Sequence, residues 1–185
     1  MTIEAVGSIG ELIAAIATVA TLFYLAMQIR HSVEATRATS QQALLDTYHD
    51  STWDLGRDME LARLVGVGLV AFDSLDDREK TAFSLVLLRY VGNVEKGLRL
   101  RAAGLIDQET LDSVASNLVA ALKAPGGAEW WKVAVSFVAP IVVEYLDRRL
   151  SDPDDHVIPW NEQIPFWARW ATESQDPAPD DEPAT

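Results

Sequence analysis

The chain has no cysteine and only three histidines in 185 residues. Without cysteine there is no disulfide framework, no thiolate metal site and no cysteine nucleophile. Positive charge is scarce as well: 15 Lys and Arg stand against 28 Asp and Glu, for a net charge of -13. With no basic stripe, a phosphate backbone repels such a chain, which excludes nucleic acid as a partner. The acidity is concentrated. Residues 151–185 hold nine acidic side chains against Arg169 alone and contribute -8, leaving -5 for everything before. Residues 1–8 contain no Lys or Arg, and no proline or glycine interrupts residues 11–55. That uninterrupted stretch predicts one long helix.

What the chain does have is a nearly unbroken apolar run at residues 9–29, IGELIAAIATVATLFYLAMQI, whose only charged side chain is Glu11 in its first turn. At about 1.5 Å per residue, roughly 20 residues cover the ~30 Å hydrocarbon layer of a membrane. Arg30, His31 and Arg37 follow it, whereas Glu4 precedes it. The positive-inside bias then leaves residues 1–8 outside and everything after residue 30 in the cytoplasm. A cleaved signal peptide would begin with positive charge, and this chain begins acidic. A core helix of a soluble fold would have to be covered on every face by the few short helices that follow, because its apolar residues run around the whole circumference. The run therefore reads as a single transmembrane helix with the lipid bilayer as its partner. Within it Gly10, Ala14, Ala17 and Thr21 put small residues on one stripe, which lets two such helices approach closely and form a homo-oligomer.

Residues 30–41 are mostly Arg, Ser, Thr, Ala, Glu and Gln, a solvated helical collar about 20 Å long. Core-facing spacing resumes at Leu44, Leu45, Tyr48, Thr52 and Leu55, which opens a domain over residues 42–150. A second helix runs from about Asp58 to Val70 and puts Leu61, Leu64, Val65, Leu69 and Phe72 on one face. Asp76 with Glu79 makes a capping-box start for a third, whose stripe of Phe83, Val86, Leu87, Tyr90, Val91, Val94 and Leu98 ends at Gly104. Asp107 is the expected N-cap of a fourth, carrying Leu111, Val114, Leu118, Ala121 and Leu122, and Pro125, Gly126 and Gly127 read as its end. A short helix with Trp130 and Trp131 follows, and Pro140 starts the last one, to Leu150. No segment alternates with period two over the length of a strand. The fold class is all-α: an N-terminal transmembrane helix continuing into a bundle of about six helices. Residues 151–185 form a Pro-rich acidic tail whose last dozen residues are disordered on composition.

Four segments taken in order, YLAMQIR at 24–30, SLDDREK at 74–80, GLIDQETL at 104–111 and APGGAEWW at 124–131, resemble a large group of uncharacterised bacterial proteins with one N-terminal anchor and a small helical domain. The resemblance spans roughly residues 8–150. It implies a single-pass protein of the bacterial inner membrane, and it implies no activity, cofactor or catalytic residue.

The best metal-like arrangement is Asp46, His49, Asp50 and Asp54, which share a face of the long helix, with Glu95 as a helper. Bundle di-metal sites use Glu-x-x-His twice with two further carboxylates, and here there is one such pair. A polar helix face opposite Leu44, Leu45 and Tyr48 is the plainer reading. His31 and His156 lie beside no motif that would use them for acid-base work, and no nucleophile elbow or phosphate-cradling glycine loop occurs. Gly66 and Gly68 in VGVGLV lack the third glycine of a dinucleotide fingerprint and fit close helix packing instead.

Tryptophan is the one enriched residue type, at six. Adjacent tryptophans on a helix point about 100° apart, so Trp130 and Trp131 can both be buried only at a junction of helices; otherwise one of them faces a partner. Ile164, Trp167 and Trp170 can share one face of a short helix, folded back on the domain or resting at a lipid interface. Taken together these features predict a non-enzymatic, membrane-tethered interaction or scaffold module with a protein partner and no cofactor. A metal-dependent enzyme using Asp46 and His49, or a receptor for an apolar small molecule between helices, are the alternatives.

Overall fold

The computed structural model describes residues 3–173, so residues 1, 2 and 174–185, including the segment expected to be disordered, lie outside the described residues. The described residues form helices and no strand: α1 (Ile3–Arg57), α2 (Met59–Val70), a 3-10 turn (Phe72–Ser74), α3 (Asp77–Ala102), α4 (Gln108–Lys123), α5 (Pro125–Ala134), α6 (Pro140–Ser151), α7 (Trp160–Gln163) and α8 (Phe166–Glu173). The chain divides into two units, Met1–Ser40 and Gln41–Thr185.

The first unit is helical from Ile3 onward. It holds a stretch long and apolar enough to cross a membrane, with a mean hydropathy of 2.0 and none of its 18-residue window buried. From Gly10 to Thr39 every side chain is exposed. Thr18 and Thr21 donate to the carbonyls of Ala14 and Ala17, both at 2.8 Å. Their hydroxyls are thereby satisfied inside the helix.

The second unit is a bundle, and its helix starts and stops follow the local chemistry. Asp58 caps α2 by accepting from the Leu61 N–H at 3.0 Å. Asp76 accepts from Glu79 N–H at 2.8 Å while Glu79 reaches back to Asp76 N–H at 3.0 Å, so both halves of the capping box form. Asp107 caps α4 through the Thr110 N–H at 2.8 Å. α3 ends in a Schellman turn: Gly104, at φ +70°, donates to Arg101 O, and Leu105 donates to Leu100 O, each at 2.9 Å. Only glycine takes that positive φ without cost.

The core centres on α4, where Leu111, Val114, Leu118, Val119, Ala121 and Leu122 are all buried. The last part of α1 turns Leu44 inward, with Tyr48, Ser51 and Leu55 following on the same face at helical spacing. Ser51, not Thr52, holds the inward place, because Thr52 is exposed. The Ser51 hydroxyl donates to Thr47 O at 2.9 Å and accepts from Asn93 Nδ2 at 3.1 Å.

Pro125, Gly126 and Gly127 do not form a turn that ends α4; they are the first residues of α5. Proline suits the first helical position, where its missing N–H is no loss. The glycines are there for proximity. A Cβ on Gly126 would lie 1.9 Å from Gly68 O, and one on Gly127 1.9 Å from Ala121 O. Gly68 in turn sits against Phe83, 2.4 Å from a Cβ built on it. This close approach on both sides explains why five consecutive residues of α2, from Val65 to Leu69, are buried.

Such a helix needs a cover on its second face, and Trp167 and Trp170 of α8, which lie over Gly66, supply it. α7 and α8 are therefore not part of a separate tail: Trp160 and Trp167 are core residues of the second unit, 6% and 7% exposed. The connection from α6 is held by charge. Asp155, with its side chain 4% exposed, pairs with Arg149 and with Lys123 Nζ at 3.1 Å. Lys123 also donates to Asp155 O at 2.6 Å and Val157 O at 3.2 Å. Burial alone would raise the Asp155 carboxyl, but the hydrogen bonds from Arg149, the Val157 N–H and Lys123 outweigh it and hold the group at about 2.

Candidate functional site: an aromatic cavity in the helical unit

α5 places both indoles of its tryptophan pair inside the protein. Trp130 is 2% and Trp131 7% exposed, and their rings lie 6.2 Å apart. Trp130 Nε1 donates to Ser84 Oγ of α3 at 3.0 Å, and Trp131 Nε1 to Asp147 Oδ1 of α6 at 2.9 Å. The pair occupies a junction of three helices with both N–H groups satisfied, so neither ring is presented to a partner.

The metal-like face is engaged in ordinary surface contacts. Asp46 Oδ1 accepts from Gln42 Nε2 at 2.7 Å, the His49 ring lies 5.5 Å from the Tyr48 ring, and Asp50 is exposed. Glu95 accepts from Arg99 at 2.6 Å. Among the described residues, no three His, Asp or Glu side chains gather into a set that could hold a metal ion.

The tryptophans near the C-terminal end build something else. Trp160 stands edge-on to Tyr90 of α3, with centroids 5.6 Å apart at 83°, and edge-on to Trp167 at 5.9 Å and 75°. Phe166 meets Trp170 at 6.1 Å and 66°. Edge-to-face arrangements of this kind suit the ring quadrupoles and fix the rings relative to one another. Together they bound a cavity of about 450 Å³ in the second unit. Leu55, Met59, Ala62 and Ile164 complete its apolar wall, and Thr52 and Asn117 bring the polar side chains.

Its polar groups are few and mostly spent. Thr52 Oγ1 donates to Tyr48 O at 3.3 Å, and Asn117 Nδ2 donates to the Tyr48 hydroxyl at 2.6 Å. Tyr90 is 2% exposed and donates to Ser51 O at 3.3 Å. Burial, the largest influence on it, raises its phenol above 10 and keeps it neutral.

No family model, curated protein or solved structure matches this chain. Of the residues singled out in the sequence, the structure brings Ile164, Trp167 and Trp170, with Thr52, Leu55 and Tyr90, to this cavity. It leaves Gly10, Ala14, Ala17 and Thr21 exposed in the first unit. Thr52, Tyr90, Asn117 and Trp160 were not legible as one site. They come from four segments: α1, α3 and α4 hold Thr52, Tyr90 and Asn117 near one another through Tyr48 and Ser51, and the docking of α7 adds Trp160; the excess of tryptophan was the single advance signal.

Proposed function

We propose that this chain is a single-pass, membrane-anchored helical interaction module, non-enzymatic, with its folded unit on the cytoplasmic face of a bacterial inner membrane. One observation carries the reading: Leu12, Ile13, Val19 and Phe23 of the first unit are each more than 60% exposed, and no side chain from Gly10 to Thr39 is buried. In water that surface is costly at about 25 cal/mol per Å², whereas lipid covers it without cost. Arg30, His31 and Arg37 on one side and no Lys or Arg in residues 1–8 on the other support the orientation. A reporter fused to the C-terminus tests it. One active only in the cytoplasm is expected to work and one active only in the periplasm to stay silent, and the opposite pattern overturns the assignment. The stripe of Gly10, Ala14, Ala17 and Thr21 supports self-association of the anchor.

A second reading, a receptor for an apolar small molecule, is favoured by the aromatic cavity. It is compatible with the first, since a tethered module can take its ligand there. Among the described residues its walls carry no acid, base or nucleophile beyond the buried Tyr90 and the Thr52 hydroxyl, which supports binding in preference to catalysis.

A further inference from the structure

An anchored chain keeps its folded unit beside a bilayer, and the step taken here rests on that reading. Most of the unit is ill suited to a lipid surface. Residues 41–185 hold 25 of the 28 acidic side chains against 13 Lys and Arg, a net -12, and an anionic leaflet repels such a charge. The turn between α5 and α6 is different. Residues 130–143 contain no Asp or Glu. The carboxylates flanking them, Glu129 and Glu144, are paired with Lys132 at 2.6 Å and Arg148 at 3.0 Å, so the turn carries no net negative charge.

Its side chains divide by direction. Trp130, Trp131, Ala134, Val138 and Val142 are buried, while Val133, Phe137 and Ile141, at steps of four, are 60%, 56% and 48% exposed. Apolar surface left in water is costly in proportion to its area, and exposed groups gathered in this way mark interaction sites. The buried residues hold the turn from beneath, with Trp131 Nε1 on α5 tied to Asp147 of α6.

The backbone favours lipid as the occupant, because a segment that enters lipid must satisfy its own polar groups. The N–H groups of Val135, Ser136, Phe137 and Val138 donate to the carbonyls of Trp131, Val133 and Ala134 at between 3.1 and 3.3 Å. The Ser136 hydroxyl donates to Val133 O at 2.8 Å, and Pro140 has no N–H to leave unpaired. Position agrees. Tyr145, one helical turn past Ile141, donates to Asp112 Oδ1 at 2.7 Å, and Thr110, near the start of the same helix α4, accepts from Gln41 Nε2 at 3.1 Å. Gln41 is the first residue of this unit, so the start of α6 lies near the end at which the chain enters it.

We infer that the α5–α6 turn is a lipid-contact site: Val133, Phe137 and Ile141 enter the boundary between headgroups and acyl chains of the bilayer. The contact is apolar and needs no anionic lipid.

The test uses the full chain in phosphatidylcholine nanodiscs. Because the chain has no cysteine of its own, Ser136→Cys can carry one environment-sensitive fluorophore, and Thr81→Cys, exposed on α3, carries the same probe as a control. The Ser136 probe should emit to the blue of the Thr81 probe and be quenched by lipids spin-labelled near the headgroup. Raising the salt to about 1 M, where charges are screened beyond roughly 3 Å, should change neither signal. Phe137→Asp should abolish both signals with circular dichroism and thermal midpoint unchanged, since the side chain is exposed, and the milder Ile141→Ser should weaken them. A Ser136 probe that reads water, equal quenching at both positions, quenching lost in salt, or quenching that Phe137→Asp leaves intact overturns the proposal. So does a Ser136 probe shielded only after membrane proteins are added, because the face then belongs to a protein partner. A chain that enters nanodiscs while its Ser136 probe reads water contradicts this inference alone, whereas failure of the tether leaves no chain in the nanodiscs.

Discussion

Gly66 of α2 lies directly beneath the indole of Trp167: a Cβ built on it would stand 2.8 Å from Trp167 Cγ and 3.1 Å from Trp170 Cε3. An atom at the root of a packed ring cannot swing aside as a flexible chain end does. Gly66→Ala should therefore destabilise the full chain by about 1–3 kcal/mol through overpacking, although alanine gains about 1 kcal/mol over glycine in helix propensity. Trp167→Ala alone should cost about 3–5 kcal/mol. The double variant should cost less than the sum, because the new methyl group enters space that the ring has left. Urea unfolding of the four proteins in one detergent gives the coupling, and strict additivity would mean that Gly66 and Trp167 do not touch.

The same packing sets an expectation for a chain ending at Leu150. With Trp160 and Trp167 gone, the face of α2 at Val65 and Gly66 and the edge of Tyr90 lose their cover. Such a chain should show a much lower or non-cooperative unfolding transition. An unchanged midpoint would show that the docked segment contributes nothing to the fold.

Acid should release the connection between α6 and α7. The Asp155 carboxyl is held at about 2 against an ordinary value of 3.8. A depressed carboxylate adds stability that is fully present above its unfolded value and is lost as pH falls through the folded one. Between about pH 4 and pH 2 the wild type should lose stability that Asp155→Asn does not lose. The variant should be the weaker protein at pH 7, where Arg149 and Lys123 lose their shared partner. Thermal midpoints collected across that range check both statements, and parallel curves would contradict them.

Ser51 and Asn93 form a buried polar pair, 3% and 4% exposed. Removing the acceptor strands an amide, so Ser51→Ala should cost about 1–3 kcal/mol. Replacing both partners, with Asn93→Leu added, should recover part of the loss, since no polar group then stays unpaired. Chemical denaturation of the single and double variants decides.

Local chemistry made much of the bundle legible in the sequence. Asp76 with Glu79, Asp107, Gly104 and Pro140 mark ends through atoms only a few residues away, and the stripe from Leu111 to Leu122 reports its own buried face. What escaped depends on distant partners. Pro125-Gly126-Gly127 reads as a break until Gly68, far off in sequence, is found against Gly126. Ser51 takes an inward place that Thr52 seemed to claim, because Asn93 and Tyr90 meet it there. The proline-punctuated stretch after residue 150 has the composition of a tail, yet two tryptophans and a carboxylate between two cations dock its first half. The cavity shares that origin: its tryptophans arrive only with the docking of α7 and α8.

The tether is tested most directly by washing membranes at alkaline pH after expressing the full chain and a chain lacking residues 1–40. The account predicts that the full chain stays in the pellet until detergent is added. The shortened chain, which keeps the Gln41–Thr185 unit, should appear in the soluble fraction, helical and cooperatively folded. A full chain that is soluble and monodisperse without detergent, beside a shortened one that is unfolded, would place residues 10–29 in a soluble core and contradict the account.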